Sequence, residues 1–215
     1  MPLLTEPYRT QNERWPQAGR HILAQFDAES VVVYQAYKPS IGHFAAKNGY
    51  FGGSEFGLGR MSWIKPNFLW MMFRCGWSTK ENQEVTLAIW LKRSAFNEIL
   101  RQAVHSTFAP EVYDTHEKWQ AAVSMSSVRL QWDPDHNPSG NPVERRAIQL
   151  GLRGNTLAQY AREWILNIED ISDFVHEQHT HVKNRRLDQL LTPREDMYPV
   201  ADAETSTKLV LSTYP

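Results

Sequence analysis

The segment Arg60–Trp77, RMSWIKPNFLWMMFRCGW, is the densest apolar and aromatic run of the chain. Pro66 suits the first turn of a helix, because its missing N–H has no intrahelical partner there and its φ is already helical. The residues from Phe68 to Phe73 are all apolar, and Gly76 stands where a helix commonly ends. A helix that is apolar on nearly every face is buried, and one this short cannot span a bilayer. The segment therefore predicts a buried central helix around which the other elements pack.

Three cations flank or interrupt this run, namely Arg60, Lys65 and Arg74. A positive charge so close to a core is paired with an acid, reaches past the core to water, or holds an anionic ligand. The residues themselves leave two interpretations open. The cations are structural, or they belong to an anion-binding site.

Composition limits the class of protein. The 215 residues suit one domain, and 41% apolar residues are enough to build a core. A formal net charge of −1 excludes an overall electrostatic preference for nucleic acid or an acidic membrane, so such a partner would have to meet a local patch. The lone cysteine, Cys75, excludes an intrachain disulfide and is interpreted as a small buried side chain. The first residues lack a cationic region followed by an apolar one, so we expect no signal peptide, no membrane partner and a cytoplasmic location.

Shifts in composition divide the chain into three parts. Residues 1–20 are polar and contain several prolines, which predicts a flexible N-terminal arm. Residues 21–191 carry the periodic apolar segments and are expected to form a single α+β domain. Residues 192–215 are dominated by Pro, Asp, Glu, Ser and Thr, which predicts a C-terminal tail with at most one edge strand.

Apolar periodicity predicts strands and helices throughout the domain. The segment Ser30–Tyr37, SVVVYQAY, is expected to be a strand buried on both faces. Gln35 inside it is either a satisfied core amide or a ligand contact, because a buried polar group needs hydrogen-bond partners. Further strands are predicted at Glu84–Leu91 and Ser127–Trp132. Helices are predicted to begin near Pro39, Ser94, His116, Asn155 and Ser172. The fold class that follows is α+β, with a mixed or split β-sheet and flanking helices.

Four glycines lie within Tyr50–Gly59, YFGGSEFGLG, shortly before the central helix. A glycine-rich loop before a helix can hold phosphates with its backbone N–H groups. This loop matches neither the dinucleotide fingerprint nor the P-loop, since no Gly-Lys-Ser/Thr follows. It is predicted instead to be a mobile loop that covers a neighbouring site.

The segment Trp132–Pro142, WDPDHNPSGNP, is predicted to be a turn-rich loop. Its Asp133, Asp135 and His136 are residue types that bind metals. Asp and Asn before Pro are also ordinary turn chemistry, and no second set of ligands stands out in the sequence. We therefore predict no metal site.

The segment Val143–Gly154, VERRAIQLGLRG, brings three arginines close to apolar residues. Strand and helix both fit its spacing, and strand is favoured. The planar guanidinium of Arg145, Arg146 or Arg153 matches a phosphate group, so the cluster predicts anion recognition. A surface salt-bridge cluster with Glu144 is the alternative.

Several long blocks of the sequence closely resemble one protein family. The blocks are VVVYQAY, RMSWIKPNFLWMMFRCGWSTK, LQWDPDH and RRAIQLGLRG, with WILNIEDIS after them. They are similar to the family catalogued as domain of unknown function 4291, over about Arg20–Leu190. The resemblance implies membership of that family but brings no settled activity with it.

A more remote likeness is to the ADP-ribosyltransferase superfamily. It rests on a strand ending in Tyr-x-Ala, a helix closing in x-x-Gly-Tyr/Phe, a split sheet and a late acidic residue. Enzymes of that superfamily hold NAD between two small sheets and cleave its nicotinamide glycosidic bond, with a glutamate that orients the ribose. The likeness implies NAD as the substrate and Glu169 as the catalytic glutamate, with Tyr34 and Gln35 where a first-strand His or Arg contacts NAD. The chain departs from the pattern, because that strand has no His or Arg and no Gln-x-Glu or Glu-x-Glu pair includes Glu169.

The likeness therefore assigns Glu169 and Gln35 as catalytic residues. The cofactor-binding residues would be Tyr34, Arg60, Trp63, Lys65, Arg74, Arg146 and Gln149. In this hypothesis the cations hold the pyrophosphate, the aromatic rings stack on a base or nicotinamide, and the acceptor is a nucleic acid or a protein. One alternative is a non-catalytic nucleotide or nucleic-acid binding module that uses the same cations and rings. Another is an interaction protein whose exposed aromatic side chains form a partner surface.

Overall fold

A computed structural model describes residues 2–213, and the outermost residues of the predicted arm and tail lie outside this range. The strands are β1 (Thr5–Pro7), β2 (Gly19–Arg20), β3 (Leu23–Ala24), β4 (Ser30–Tyr37), β5 (Ser62–Ile64), β6 (Val85–Lys92), β7 (Ala103–His105), β8 (Val128–His136), β9 (Pro142–Leu152), β10 (Ile165–Asp170), β11 (Leu191–Pro193) and β12 (Asp196–Met197). The helices are α1 (Tyr8–Arg14), α2 (Pro39–Asn48), α3 (Phe68–Cys75), α4 (Arg93–Gln102), α5 (His116–Met125), α6 (Gly154–Gln159), α7 (Ser172–Lys183) and α8 (Ala203–Lys208), and a π-helical turn at Tyr160–Trp164 follows α6. None of the helices within residues 2–213 is long and apolar enough to cross a membrane. The α+β class predicted from the sequence is confirmed.

Two sheets form the centre of the fold. The first has the strand order β10-β6-β4 and is antiparallel throughout. The second has the order β2-β9-β8-β7, with β5 also paired to β9, and it mixes parallel and antiparallel neighbours. The two sheets meet where Tyr34 of β4 forms an antiparallel bridge to Lys65, which follows β5. The predicted mixed or split sheet is therefore a pair of sheets joined at this bridge.

The predicted central helix is α3. Asn67 caps its first turn by accepting a hydrogen bond from the backbone N–H of Trp70 at 2.7 Å, so the helix begins at Phe68 rather than at Pro66. Gly76 ends the helix in the left-handed conformation, with φ of 59°. The side chain of Phe68 is completely buried, and full burial of an apolar side chain contributes about 1.5–3 kcal/mol. The buried helix and its glycine end are confirmed, and the position of its start is corrected.

The strand β4 contributes to two hydrophobic cores. Val32 packs with Trp90 and with the apolar side chains of α3 in one core. Val33 belongs to the other core, together with Leu150 of the second sheet. Because successive side chains of a strand point to opposite faces, β4 lies between the two cores. The prediction of a strand buried on both faces is confirmed.

The two terminal segments pack against each other, which corrects the prediction of a flexible arm and a tail. β1 pairs with β11, and the fully buried Gln11 donates from its amide to the side-chain oxygen of Thr192 at 2.7 Å. The indole N–H of Trp15 donates to the backbone oxygen of Glu195 at 2.8 Å. These polar residues are buried because each finds its hydrogen-bond partner at the other end of the chain. Local composition cannot reveal such pairing.

The hairpin of β8 and β9 is longer than predicted. β8 continues past Trp132 to His136, so the predicted turn-rich loop shrinks to Asn137–Asn141. The buried carboxylate of Asp135 forms an ion pair with the buried guanidinium of Arg145 at 2.7 Å. A buried carboxylate without a partner would destabilise the protein. Because Arg145 pairs with Asp135, β8 can continue past Asp135 in the protein interior. The strand interpretation of β9 is confirmed.

Candidate functional site

A cavity of about 1040 Å³ opens beside the bridge that joins the two sheets. Its walls come from the end of β4, from β5, from α3, from the loop after α2 and from the β8–β9 hairpin. We call this cavity the central cleft. Sites for small molecules usually occupy about 300–1,000 Å³, so the central cleft has room for a ligand as large as a dinucleotide.

Lys65 lines the central cleft and is 5% exposed. Within residues 2–213, its ammonium group has neither a hydrogen bond nor an ion pair. Burial, and then the positive charge of Arg74, lower the pKa of Lys65 to about 8, while the carboxylate of Asp133 acts in the opposite direction. A buried cation without a partner is unfavourable in the free protein, and an anion in the cleft would relieve that cost.

Two arginines add positive charge to the central cleft. Arg60 lies just before β5 and Arg74 lies in the last turn of α3, and both side chains are exposed. In the described part of the chain, neither guanidinium forms a salt bridge. Lys38, which also lines the cleft, differs because it pairs with Glu55 of the glycine-rich loop. The cleft thus has cationic groups that are free to hold an anion.

Asp133 lines the cleft between two glutamines. Its two carboxylate oxygens accept hydrogen bonds from the side-chain amides of Gln131 and Gln149, each at 2.7 Å. Gln131 and Gln149 face each other across β8 and β9, and Asp133 stands two residues further along β8 on the same face. The two amides hold the carboxylate in a fixed orientation, and among residues 2–213 no cation forms an ion pair with it.

Aromatic rings line the same cavity. The ring of Phe73 stacks on the imidazole of His136 with centroids 3.5 Å apart, and Trp70 lies nearly parallel to both rings. Burial lowers the pKa of His136, which favours the neutral imidazole in this stack. Phe73 is 39% exposed at the cleft although it is apolar. A ring held in this way is suited to stack on a planar ligand.

Gly151 determines where Trp63 lies in the cleft. The two residues are opposite each other in the pairing of β5 and β9. A Cβ atom on Gly151 would lie 3.0 Å from the indole ring of Trp63 and 2.5 Å from Sδ of Met61. Because both distances are shorter than ordinary contacts, only glycine allows Trp63 to lie this close to the sheet.

Gln35 lines the cleft, but its amide is already occupied. Its Nε2 donates to the hydroxyl of Ser62 at 2.8 Å and lies 3.0 Å from the hydroxyl of Tyr37. Its Oε1 accepts from the hydroxyl of Tyr160 at 2.6 Å. Of the two interpretations of Gln35, the structure therefore favours the satisfied core amide over the ligand contact.

The structure brings six of the predicted site residues to the central cleft and leaves three outside it. Those that line the cleft are Gln35, Arg60, Trp63, Lys65, Arg74 and Gln149. Tyr34 is completely buried against Phe68 in the core. Arg146 is exposed on β9, and Glu169 is exposed on β10, which pairs only with β6 within its sheet. The structure therefore does not bring Glu169 to the cavity that these cations line, because β6 lies between β10 and β4.

Sequence reasoning missed two features of this site. Gln131 and Asp133 were not assigned to a ligand site, although their spacing of two along a strand predicts a shared face. Arg145 is the buried arginine of its cluster, paired with Asp135, whereas Arg146 is the exposed one. Within residues 2–213, no three His, Cys, Asp or Glu side chains are arranged to hold a metal ion.

The comparisons with known proteins identify a family. The family model described as Domain of unknown function (DUF4291) matches residues 21–198, so the chain belongs to that family. This confirms the resemblance inferred from the sequence blocks. A search of curated proteins finds no match. The family description names no activity, and the chemistry of the central cleft has to support any functional proposal.

Proposed function

We propose that this DUF4291 protein binds a nucleotide in the central cleft and acts on NAD, releasing nicotinamide and transferring the ADP-ribosyl group. The observation that carries the proposal is that Arg60, Lys65 and Arg74, without acidic partners in residues 2–213, share one cavity with exposed aromatic rings and the carboxylate of Asp133. Phosphate, a flat heterocycle and a sugar are the three parts of a nucleotide that these groups would recognise.

The cations account for the phosphates in this proposal. A guanidinium offers two parallel N–H donors that match two oxygens of a phosphate, and it keeps its charge at every physiological pH. Arg60 and Arg74 would each hold one phosphate of the pyrophosphate. Trp63 and Phe73 would stack on the rings at the two ends of the dinucleotide.

Asp133 takes the role that the likeness to ADP-ribosyltransferases gave to Glu169. Cleavage breaks the bond between the ribose C1′ and the nicotinamide nitrogen, and the electron pair leaves with nicotinamide. The ribose then carries positive charge, which a fixed carboxylate stabilises more strongly than it stabilises the substrate. An acceptor nucleophile adds to C1′ and loses its proton, which completes the transfer. Gln131 and Gln149 would keep Asp133 oriented during these steps.

The test compares two acid-to-amide variants that carry the same change in charge. Binding of NAD to the full chain is followed by tryptophan fluorescence, and free nicotinamide is measured by chromatography. Asp133→Asn should retain NAD binding and lose nicotinamide release by on the order of 100-fold. Glu169→Gln, outside the cleft, should behave as the unmodified protein does. Loss of turnover in Glu169→Gln with normal turnover in Asp133→Asn would contradict this assignment.

A non-catalytic nucleotide-binding module is the second candidate function. It is favoured by the position of Glu169 outside the cleft and by the hydrogen bonds that already occupy the amide of Gln35. In that case NAD or ADP binds, nicotinamide is not released, and Asp133→Asn affects binding alone. Salt-sensitive retention on a single-stranded oligonucleotide, without NAD turnover, would extend this candidate to nucleic acid.

A further inference from the structure

We propose that Lys65 is a nucleophilic amine that forms an imine with the carbonyl group of a phosphorylated aldehyde bound in the central cleft. The proposal rests on the anion-binding role proposed for the cleft, but it does not require cleavage of NAD. It assigns to Lys65 a covalent role in addition to its positive charge.

The backbone of Lys65 is fixed on both sides. Its N–H donates to the carbonyl oxygen of Tyr34 at 3.2 Å, and its carbonyl oxygen accepts from the N–H of Tyr34 at 2.7 Å. Pro66 follows it directly, and Asn67 then caps α3. The fixed backbone sets the direction in which the side chain leaves the main chain, and Lys65 lines the central cleft.

Lys65 differs from the other lysines of the described chain in being buried without a partner. Lys38 and Lys118 form ion pairs with acids. Lys92 donates to a backbone carbonyl oxygen. Lys47 is exposed to water. An amine that donates to no acceptor and has lost most of its water has its nitrogen available for reaction.

The surroundings of Lys65 increase the fraction of its amine that is neutral. The titratable and charged groups that face it are Arg74, Asp133 and the thiol of Cys75, and burial is the largest influence on its pKa. With a pKa of about 8, about a quarter of the Lys65 side chains are neutral at pH 7.5, compared with about one in a thousand for an ordinary lysine. A lysine that is desolvated beside another cation is a recognised way to activate an amine as a nucleophile. The arginines stay charged under the same conditions, so they can hold a phosphate while the amine reacts.

The reaction balances without any further reactant. The lone pair of the Lys65 nitrogen attacks the carbonyl carbon, and a proton moves from nitrogen to oxygen to give a carbinolamine. Loss of water from the carbinolamine leaves the imine. A free aldehyde with a phosphate at a short distance is the ligand that suits this cleft, and the ring-opened terminal ribose of ADP-ribose has the same chemistry.

The test uses pyridoxal 5′-phosphate as the probe, because it combines an aldehyde, a phosphate and a flat ring. The full chain is incubated with less than one equivalent of probe at pH 7.5, reduced with borohydride, digested, and mapped by mass spectrometry. Lys65 should carry at least about 10-fold more label than exposed Lys47, in line with its larger neutral fraction. Inorganic pyrophosphate in excess should suppress labelling of Lys65 and leave Lys47 unaffected.

Variants separate the reactive site from general labelling. Lys65→Met should abolish the cleft label, while Lys47→Met should leave it unchanged, with both folds checked by circular dichroism. Arg74→Gln should reduce labelling by pyridoxal 5′-phosphate more than labelling by pyridoxal, which lacks the phosphate. Label spread evenly over the exposed lysines, with none on Lys65, would overturn the inference. If Lys65 is labelled but NAD is neither bound nor cleaved, the inference stands and the proposed function fails. If NAD is cleaved but Lys65 is not labelled, the proposed function stands and the inference fails.

Discussion

Tyr34 and Lys65 exchange both of their backbone hydrogen bonds, at 2.7 and 3.2 Å, and this exchange joins the two sheets of the protein. The ring of Tyr34 is completely buried in the core, whereas the side chain of Lys65 reaches the central cleft. The buried lysine of the cleft is therefore anchored directly to β4, a strand that is buried on both faces. Small shifts between the sheets would change the position of its amine.

Replacing Lys65 with methionine should stabilise the protein at neutral pH. The pKa of Lys65 is about 8 in the folded protein and 10.5 in the reference state, so below pH 8 the folded protein bears the full cost of burying the cation. Between pH 8 and 10.5 the unfolded chain binds the extra proton, so the stability of the unmodified protein rises with pH in that window. We expect Lys65→Met to raise the free energy of unfolding at pH 7 by up to about 3 kcal/mol. Urea unfolding at pH 7 and pH 10.5 measures this, and a destabilised Lys65→Met at pH 7 would show that the ammonium has a stabilising partner.

Removing a positive charge that lines the cleft should weaken nucleotide binding, whereas removing a positive charge outside the cleft should not. Arg74→Gln deletes a guanidinium that lines the cleft, and we expect its affinity for ADP to fall by about 10-fold. Arg146→Gln deletes an exposed guanidinium on β9 that does not line the cleft, so it serves as the matched control. Isothermal titration with ADP at two salt concentrations measures both. Equal losses in the two variants would mean that overall charge, rather than the cleft, attracts the ligand.

A side chain at position 151 should disturb the cleft. Gly151→Ala places a Cβ 2.5 Å from Sδ of Met61 and 3.0 Å from the ring of Trp63, so both side chains have to shift, and we expect ADP affinity to fall several-fold. Gly57→Ala makes the same substitution at a glycine that itself lines the cleft, but a Cβ there has no atom within 4 Å. Quenching of tryptophan fluorescence by ADP compares the two variants. Unchanged affinity in Gly151→Ala would show that Trp63 does not contact the ligand.

Breaking the buried ion pair should loosen the N-terminal segment. Arg145 pairs with Asp135 at 2.7 Å and also donates to the backbone oxygen of Pro16 at 2.7 Å. Its guanidinium carbon lies 5.2 Å from the centre of the Trp15 ring. Arg145→Met would leave a buried carboxylate alone, and we expect a loss of about 3–5 kcal/mol of stability.

The control for the ion pair is the double variant Asp135→Leu with Arg145→Met, which leaves no buried charge of this pair. It should recover much of the lost stability, because both charges are removed together. Urea unfolding gives the free energies, and limited proteolysis reports cleavage near Pro16. A double variant as unstable as Arg145→Met would mean that the contacts to Trp15 and Pro16 matter more than the charge pair.

The sequence predicted those parts of the fold whose signals are local. The apolar run before Gly76 predicts α3, and the run of valines in β4 predicts a strand buried on both faces. The residues left open whether the cations around α3 are structural or belong to an anion-binding site, and the structure brings Arg60, Lys65 and Arg74 to one cleft.

The rest depends on contacts between distant segments. Glu169 was selected by its place in the chain, but the pairing of β10 with β6 alone puts it outside the cleft. Asp133 was considered only as a possible metal ligand in a loop and was then rejected, because nothing local shows that β8 continues to His136. Gln11 is polar, and its burial follows from a partner that lies at the other end of the chain.

The pairing of β1 with β11 also has a consequence for how the protein is made. Thr5–Pro7 leaves the ribosome long before Leu191–Pro193, so the nascent chain carries an unpaired first strand through most of translation. During that time Trp15 lacks the carbonyl oxygen of Glu195 that it bonds in the finished fold. Synthesis of Leu191–Pro193 therefore completes this two-stranded sheet, and it ends the period in which the N-terminal strand could pair with the wrong edge.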